Sequence, residues 1–311
     1  MSHTFLKAEK IVNQGLGMLN REIVLPRVVK RIAAAEFSGA KNDTINVRIP
    51  SILEAREYGW RNNRSNPIDY DELEELSIPV QLNKHVYSGV KVTDEELTLD
   101  IDSWGEQVAR PQIRAVAEKL ESYIADAMEN ATYAETVTYD GDETGNISGI
   151  YETLVEARSI LNKANVPADQ RYVLLGADVE AAALLSPNLV NVDQSGSDSA
   201  LRDAVIGKLA GFTIIGNCNS IPSEFAVAFH PTAFAFANVA PEVPSGATAG
   251  ATSSYEGLAM RWIRDYDPDR LQDRSIYSSF AGAVSVEDGR ESYGALTGEN
   301  VRAVEIEFTG S

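Results

Sequence analysis

Two runs of alternating apolar and polar residues, separated by about 27 residues without clean periodicity, constrain the fold of this chain most strongly. In the first run, Ile45, Val47 and Ile49 alternate with polar residues, and in the second, residues 77–92, apolar residues recur with the same period. Such alternation predicts strands with one buried face. A two-stranded projection forms no core of its own, so it has to lie along another surface.

The stretch between the two runs mixes arginines, carboxylates and aromatic side chains. Loops of this length inside compact domains are uncommon and are usually functional. The acidic run within it is open to two interpretations, catalytic carboxylates or a charged surface that pairs with arginines, and we favour the surface. Its candidate contact residues toward a neighbouring subunit are Arg56, Trp60, Arg61, Arg64, Asp71, Glu72, Glu74 and Glu75.

The N-terminal stretch "LNREIVLPRVVKR" is basic and apolar. Apolar residues recur every three or four positions between Val12 and Ile23, which predicts a helix that Pro26 ends or kinks. Gly15 and Gly17 weaken that helix by about 1 kcal/mol each, so it needs a partner surface. The candidate contact residues here are Arg21, Val24, Leu25, Arg27, Lys30 and Arg31.

The charge of the chain is divided unevenly. Its net charge is -19, yet residues 1–35 hold six basic and two acidic residues. The acidic remainder repels nucleic acid phosphates at long range, which argues against free DNA as a specific ligand. The basic side chains of the N-terminal stretch therefore meet either protein carboxylates or DNA phosphates.

The rest of the chain mixes helices and strands. Residues 103–131 carry an apolar stripe with helical spacing, which predicts an unusually long helix. Helices and short strands then alternate through residues 150–239, with "ALRDAVIGKLAG" predicted helical. Two long strands flank the turn "DPDRLQD", and "VRAVEIEF" predicts a last strand. This order predicts an α+β protein.

No catalytic, cofactor or metal motif occurs in the chain. There is no G-x-S-x-G, H-E-x-x-H or G-x-x-x-x-G-K-[ST] pattern. The single cysteine, Cys218, has an apolar setting typical of a buried side chain. No secretion signal or membrane-spanning run is found, which predicts a protein made and kept in a cytoplasm without a membrane partner.

One acidic turn approaches a calcium loop. Asp140, Asp142, Thr144 and Gly145 occupy the first, third, fifth and sixth positions of such a loop. The twelfth position is Tyr151 rather than the bidentate Glu that the loop requires. We therefore interpret it as a solvated turn and expect no metal and no cofactor.

The order of the parts resembles one family. The segments "FLKAEKIVNQGLGMLNREIVLPRVV", "GAKNDTINVRIP", "SIPVQLNKHVYSGVKVTDEELTLDI" and "ALRDAVIGKLAGFTI" are similar to the tailed-phage major capsid proteins, in the coat-protein group of the Hong Kong 97-type capsid fold. The resemblance covers nearly the whole chain, least clearly in residues 240–311.

The resemblance implies a division of the chain into named parts. These are an N-terminal arm (1–37), an extended-loop hairpin over the neighbouring subunit (38–92), a peripheral domain with the long spine helix (93–147), an axial domain (148–254), returning peripheral strands (255–289) and a C-terminal strand, placed in the axial domain (290–311).

The function that the resemblance implies is structural, not enzymatic. Copies of the chain would self-assemble into pentamers and hexamers of an icosahedral shell around double-stranded DNA. The implied partners are a scaffolding protein and a portal during assembly, decoration proteins, and packaged DNA bound non-specifically. The implied location is the virion, assembled in the host cytoplasm. The alternatives are an encapsulin-like compartment and an α/β enzyme without a recognisable motif.

Overall fold

The computed structural model describes residues 24–32, 44–49, 55–60, 67–70, 76–100, 103–140, 149–184, 207–216, 220–255, 258–287 and 298–309. Its helices are α1 (Leu25–Val28), α2 (Arg110–Glu129), α3 (Ile150–Lys163) and α4 (Ala177–Leu184). Its strands are β1 (Lys30–Ile32), β2 (Thr44–Ile49), β3 (Leu76–Gln81), β4 (Lys84–Thr93), β5 (Thr136–Tyr139), β6 (Tyr172–Leu175), β7 (Lys208–Leu209), β8 (Phe212–Ile215), β9 (Phe225–Phe229), β10 (Phe234–Val239), β11 (Ala249–Tyr255), β12 (Leu258–Asp267), β13 (Gln272–Ser285) and β14 (Ala303–Phe308). Within these residues, no helix combines the length and the apolar character needed to cross a membrane.

The first sheet is built around β13. Its strand order is β1-β10-β13-β12-β11, and β4 also pairs with β13. β4 pairs with residues 272–281, β12 with residues 272–278 and β10 with residues 280–285. β4 therefore lies along one edge of β13, and β12 and β10 follow one another along the other edge.

A buried asparagine fills the place where β13 changes partner from β12 to β10. Asn238 Nδ2 donates to Ser279 Oγ at 2.6 Å and to Phe280 O at 3.1 Å, and its Oδ1 accepts from the Ala259 N–H. Ser279 Oγ in turn donates to Ala259 O at 2.8 Å. Side-chain bonds thus satisfy backbone groups that have no strand partner at this change.

The long helix α2 covers one face of the first sheet. Its apolar stripe, Ile113, Val116, Leu120 and Ile124, is almost completely buried. The predicted i,i+4 pair on its outer side also forms, with Arg114 Nε 2.8 Å from Glu118 Oε1. The prediction of a long helix is confirmed, and the turn that directly precedes α2, Gly105–Ala109, is π-helical.

A buried glutamine fixes the position of α2 on the sheet. Gln112 Nε2 donates to Ser275 O at 2.9 Å and to Ser88 O at 3.1 Å, and its Oε1 accepts from Ser275 Oγ at 3.0 Å. Trp262 Nε1 donates to the same Ser275 hydroxyl at 3.0 Å. Because these bonds are directional, they set the rotation and the translation of the helix as well as its distance from β13 and β4.

The second sheet has the strand order β5-β14-β9-β6-β8-β7. One face packs under α3, where Leu154, Ala157 and Leu161 are fully buried. The opposite face contributes Leu174 and Phe229 to the core that also contains the stripe of α2. The long helix therefore shares one core with both sheets.

The chain passes between the two sheets at a junction centred on Asn300, which is 0% exposed. Its backbone N–H donates to Thr132 O at 2.7 Å, in the connection between α2 and β5. Its Nδ2 donates at 3.0 Å both to Ala233 O, between β9 and β10, and to Ser285 Oγ, at the end of β13. Asn300 thus joins, through its backbone and its side chain, the segments that connect the two sheets.

The hairpin forms as a separate two-stranded sheet of β2 and β3, with Thr44 opposite Gln81 and Ile49 opposite Leu76. The sequence predicted that the second alternating run continues in one strand, but the structure divides it into β3 and β4. The base of the hairpin, at Gln81, packs closely against β13 of the first sheet at this division. A Cβ atom on Gly282 would lie only 2.1 Å from Gln81 O, so glycine is needed there.

The sheets divide the chain at different points from the division predicted above. β10 and β11 lie in the first sheet with β12 and β13, although residues 148–254 were grouped together, and β5 lies in the second sheet. The sequence grouped them by chain order, whereas pairing with β13 and β14 decides their sheet. The predicted helix "ALRDAVIGKLAG" is also wrong where it is described, because Lys208–Leu209 is a strand.

Candidate assembly surfaces

Residues 24–32, which we call the arm segment, lie against the chain's own core. Glu121 Oε1, on α2, accepts from the Val24 N–H at 3.0 Å and the Leu25 N–H at 3.1 Å. A carboxylate at this position satisfies amides at the start of the short helix α1. The segment continues as β1, which runs parallel to β10 with Lys30 opposite Ala235.

The apolar side chains of the arm segment do not face outward. The sequence placed Val24 and Leu25 among the contacts with a neighbouring subunit. The structure instead buries Leu25 completely among residues of α2 and the first sheet, with Val24 packed against the same cluster. The sequence could not distinguish a partner surface on the same chain from one on another copy, and α2 provides it on the same chain.

The charged side chains of the arm segment are exposed. Arg27, Lys30 and Arg31 all lie on the outer side. The arm segment therefore packs on the chain's own core through its apolar side chains and exposes its basic ones. Arg21 lies outside the described residues.

The loop at the tip of the hairpin exposes aromatic side chains. Trp60 is 90% exposed and Tyr70 is 84% exposed, and Ile68 and Arg56 are also exposed. The remaining predicted contact residues of this loop, Arg61, Arg64, Asp71, Glu72, Glu74 and Glu75, lie outside the described residues. A side chain as large and apolar as Trp60 gains nothing from the isolated chain, which is typical of a contact with a partner.

Two further pairs of exposed apolar residues were not predicted from the sequence. On β4 and β13, Tyr87 and Ile276 lie on the sheet face opposite the buried residues Val86 and Tyr277. On α3, Tyr151 and Val155 are exposed one turn apart. The available signal is an aromatic or branched residue at the polar phase of each pattern.

The turn between β12 and β13 carries ion pairs across the strands. Arg274 Nη2 lies 2.8 Å from Asp265 Oδ2, and Arg264 contacts Asp273, which is buried. A hydrogen bond from Thr248 and the nearby Arg274 hold the pKa of the Asp265 carboxyl below its usual value. These pairs rigidify a projecting turn rather than form a reactive site.

No group of side chains suited to a metal ion occurs among the residues that the structure describes. The acidic turn near Asp140 and the cysteine Cys218 lie largely or wholly outside them.

Comparison with known proteins gives the fold first. This chain is similar to the structure from Mycobacterium phage Che8, with 19% identity, a TM-score of 0.63, and coverage of 93% of this chain and 92% of that chain. It is similar to the capsid of the cyanophage P-SCSP1u, with 12% identity, a TM-score of 0.64, and coverage of 100% and 91%. It is also similar to the head of Helicobacter pylori bacteriophage KHP40, with 10% identity, a TM-score of 0.59, and coverage of 99% and 94%. The chain therefore has the Hong Kong 97-type capsid fold, as the sequence predicted.

The family follows from the sequence. A family model described as phage capsid protein matches residues 75–293, well over half of the chain. The chain therefore belongs to the phage capsid protein family, and the resemblance stated above is confirmed. No curated protein sequence matches it.

Proposed function

We propose that this chain is the major capsid protein of a tailed bacteriophage, and that its copies assemble into pentamers and hexamers of an icosahedral shell around double-stranded DNA. The proposal is carried by the membership of the phage capsid protein family. The exposed Trp60 and Tyr70 support it, because a shell gives such side chains a surface to cover them.

Closed shells require the same heterologous contacts to be repeated around symmetry axes. The chain provides elements for this at several places: the hairpin loop, the basic side of the arm segment and the exposed side of α3. We propose that Arg27, Lys30, Arg31, Arg56 and Trp60 contact neighbouring subunits. For Leu25 we propose no such contact, because it is buried within the chain.

The division into domains is part of the same proposal, with boundaries adjusted to the sheets. The first sheet with α2 would be the peripheral domain, the second sheet with α3 and α4 would be the axial domain, and β2 and β3 would be the extended loop. The supporting observation is that β14, near the C-terminus, pairs with β5 and β9 in the second sheet.

The partners and the location follow the family. A scaffolding protein and a portal would act during assembly in the host cytoplasm, decoration proteins would bind the finished virion, and DNA would be contacted non-specifically. The net charge of -19 suits a container that must not hold its DNA tightly. An encapsulin-like compartment or an enzyme is not favoured, since the matching family is that of phage capsid proteins.

Electron microscopy of the expressed chain tests the proposal. We expect rings, shells or curved polymers, alone or with a scaffolding partner, and particles from infected cells should contain double-stranded DNA. A chain that stays monomeric at high concentration with the scaffold present would contradict the proposal, and shells filled with protein cargo would favour the compartment.

The variant Trp60→Ala tests the loop contact. Because Trp60 is exposed in the single chain, its removal should leave the unfolding midpoint of the unassembled protein unchanged and still reduce particle yield. Unchanged assembly would remove Trp60 from the proposed contacts. Deleting residues 1–23 tests the arm in the same way and keeps the anchored arm segment in place.

A further inference from the structure

A row of basic side chains crosses three adjacent strands at one end of the second sheet. Arg302 directly precedes β14, His230 directly follows β9 and Arg171 directly precedes β6. The register pairs Phe229, the last residue of β9, with the first residue of each neighbouring strand. Arg302 and Arg171 therefore lie on either side of His230, and the His230 N–H donates to Arg302 O at 3.1 Å.

The three side chains share one face of the sheet. Side chains alternate along a strand, so residues two positions apart share a face. The residues two positions away within each strand, Val173, Ala228 and Val304, belong to the core beneath α3. With adjacent strands about 5 Å apart, the row is about 10 Å long at the rim of that core.

Arg171 occupies the most buried position of the row. It is 3% exposed, and its Nε and Nη2 donate to Pro167 O at 2.8 Å and Val166 O at 2.6 Å in the turn after α3. Among the residues that the structure describes, its buried Nη1 has no hydrogen-bond partner. A buried charged donor left unpaired is costly, so this nitrogen is positioned for an acceptor that the described part of the chain does not supply.

The electrostatics around the row combine burial with charges of both signs. Burial and the neighbouring guanidinium groups of Arg302 and Arg171 lower the pKa of His230, although Asp169 raises it. Burial, and then Arg158 on α3, lower the pKa of Arg171, and Asp169 again opposes the shift without reversing it. Because burial penalises the charged forms of these side chains, a carboxylate that paired with the row would favour their protonated states.

The tautomer of His230 prepares it to donate. In the neutral tautomer whose Nδ1 accepts from the Thr232 N–H, at 3.4 Å, the ring carries its proton on Nε2. Nε2–H is then the polar group that this ring offers to a ligand. A bound anion would also favour the doubly protonated ring, in which Nδ1–H can donate to Thr232 Oγ1, 2.8 Å away.

We propose that the row of Arg171, His230 and Arg302 binds a carboxylate side chain from a second copy of this chain. The proposal rests on the self-assembly proposed above. Hydrogen bonds from guanidinium groups to carboxylates are charge-assisted and strong, and Arg171 can contribute one of them through Nη1. The chain carries 46 acidic residues, so a shell brings many carboxylates to each subunit, whereas the same net charge repels duplex DNA. A row of about 10 Å, partly below the surface, suits one side chain on its flexible stem better than a duplex backbone.

Histidine-labelled protein tests the site itself. The chain has only three histidines, His3, His85 and His230, so the ring signals of the unassembled full-length protein can be separated by NMR. We expect acetate or glutarate, compared with chloride at equal ionic strength, to raise the titration midpoint of His230 by about one pH unit and to leave His85 unchanged. The variant Arg302→Gln should reduce that shift, and Arg114→Gln, on the exposed side of α2, should not.

Three outcomes would overturn the proposal. His230 could be insensitive to carboxylates, or it could respond to inorganic phosphate or duplex oligonucleotides and not to carboxylates, which would make the row a phosphate site. It could also respond to acetate while Arg302→Gln assembles normally, which would mean an adventitious ion only. We expect Arg302→Gln to raise the protein concentration required for assembly about tenfold, as loss of one contact per subunit predicts. Failure of the unmodified chain to assemble would contradict the proposed function, whereas normal assembly of the variant would contradict only the row.

Discussion

The two sheets hold their helices in different ways. The contact of α2 with the first sheet includes a buried polar side chain, Gln112, with bonds to Ser88 and Ser275. The buried side of α3 that faces the second sheet is apolar apart from Thr153, whose hydroxyl bonds to Gly149 O at the start of its own helix. The one directional bond described between this helix and the sheet is made by an exposed side chain, Arg158, whose Nη1 donates to Ala210 O at 2.9 Å. Directional bonds fix an orientation, whereas apolar packing tolerates rearrangement that conserves volume. The first sheet is therefore the part whose geometry is specified most narrowly.

The largest effect should come from a cavity in the apolar contact. We expect Leu154→Ala, under α3, to lower the free energy of unfolding by about 3 kcal/mol, because Leu154 is fully buried and its removal leaves a void. Chemical denaturation of the unassembled protein measures this. The matched control is Val155→Ala on the exposed side of the same helix, for which we expect about 0.5 kcal/mol. Equal costs for the two variants would show that α3 is not held by this core.

Volume-conserving substitutions compare the two contacts directly. Gln112→Met keeps the volume but removes three buried hydrogen bonds, with Ser88 O, Ser275 O and Ser275 Oγ, so we expect it to cost about 2 kcal/mol. Leu154→Met keeps both volume and apolar character and should cost about 1 kcal/mol. The same denaturation experiment measures both, with Arg114→Met on the exposed side of α2 as a control. If Gln112→Met costs no more than Leu154→Met, the polar contact does not specify the first sheet.

The sequence predicted most of the elements but not how they are divided between the two sheets. The stripe of α2 and the alternation in β2, β3 and β14 are local patterns, and each element formed where its pattern lies. The sheet of β10 and β11 depends on pairing with residues distant in the chain, on which local periodicity gives no information. Leu25 shows the same limit, because an apolar residue in a basic stretch indicates burial without indicating which chain provides the surface.

The basic row shows why this candidate site was not found from the sequence. Arg171, His230 and Arg302 are far apart in the chain and match no short motif. Only the register of β6, β9 and β14 brings them together. The exposed Trp60, in contrast, was predicted as a contact residue from the sequence alone, because long loops within compact domains are usually functional and this one carries a large aromatic side chain.

The arm segment provides a smaller test of the first sheet. Glu121→Gln keeps an acceptor for the Val24 and Leu25 amides but removes its charge, so we expect a loss of about 1 kcal/mol. The loss should be local, and hydrogen exchange at these amides should become faster. Glu118→Gln, on the exposed side of α2, is the control and should leave the exchange rates of both amides unchanged. Uniform acceleration across α2 would mean that the substitution disturbs the helix rather than the anchor of the arm segment.

The smallest effect concerns pH and belongs to the second sheet. Since the folded chain lowers the pKa of His230 below its ordinary value of 6.5, the unfolded chain takes up the proton more readily. The free energy of unfolding should therefore fall as the pH drops from 7 through 6.5 toward about 5, below which carboxylates also begin to titrate. His230→Gln removes the titrating ring and should flatten this part of the stability profile, while His85→Gln should retain it. The prediction is wrong if both variants show the same slope. A bound carboxylate would act in the opposite direction by raising the pKa of His230, so assembled particles should lose less stability over this range than the unassembled chain.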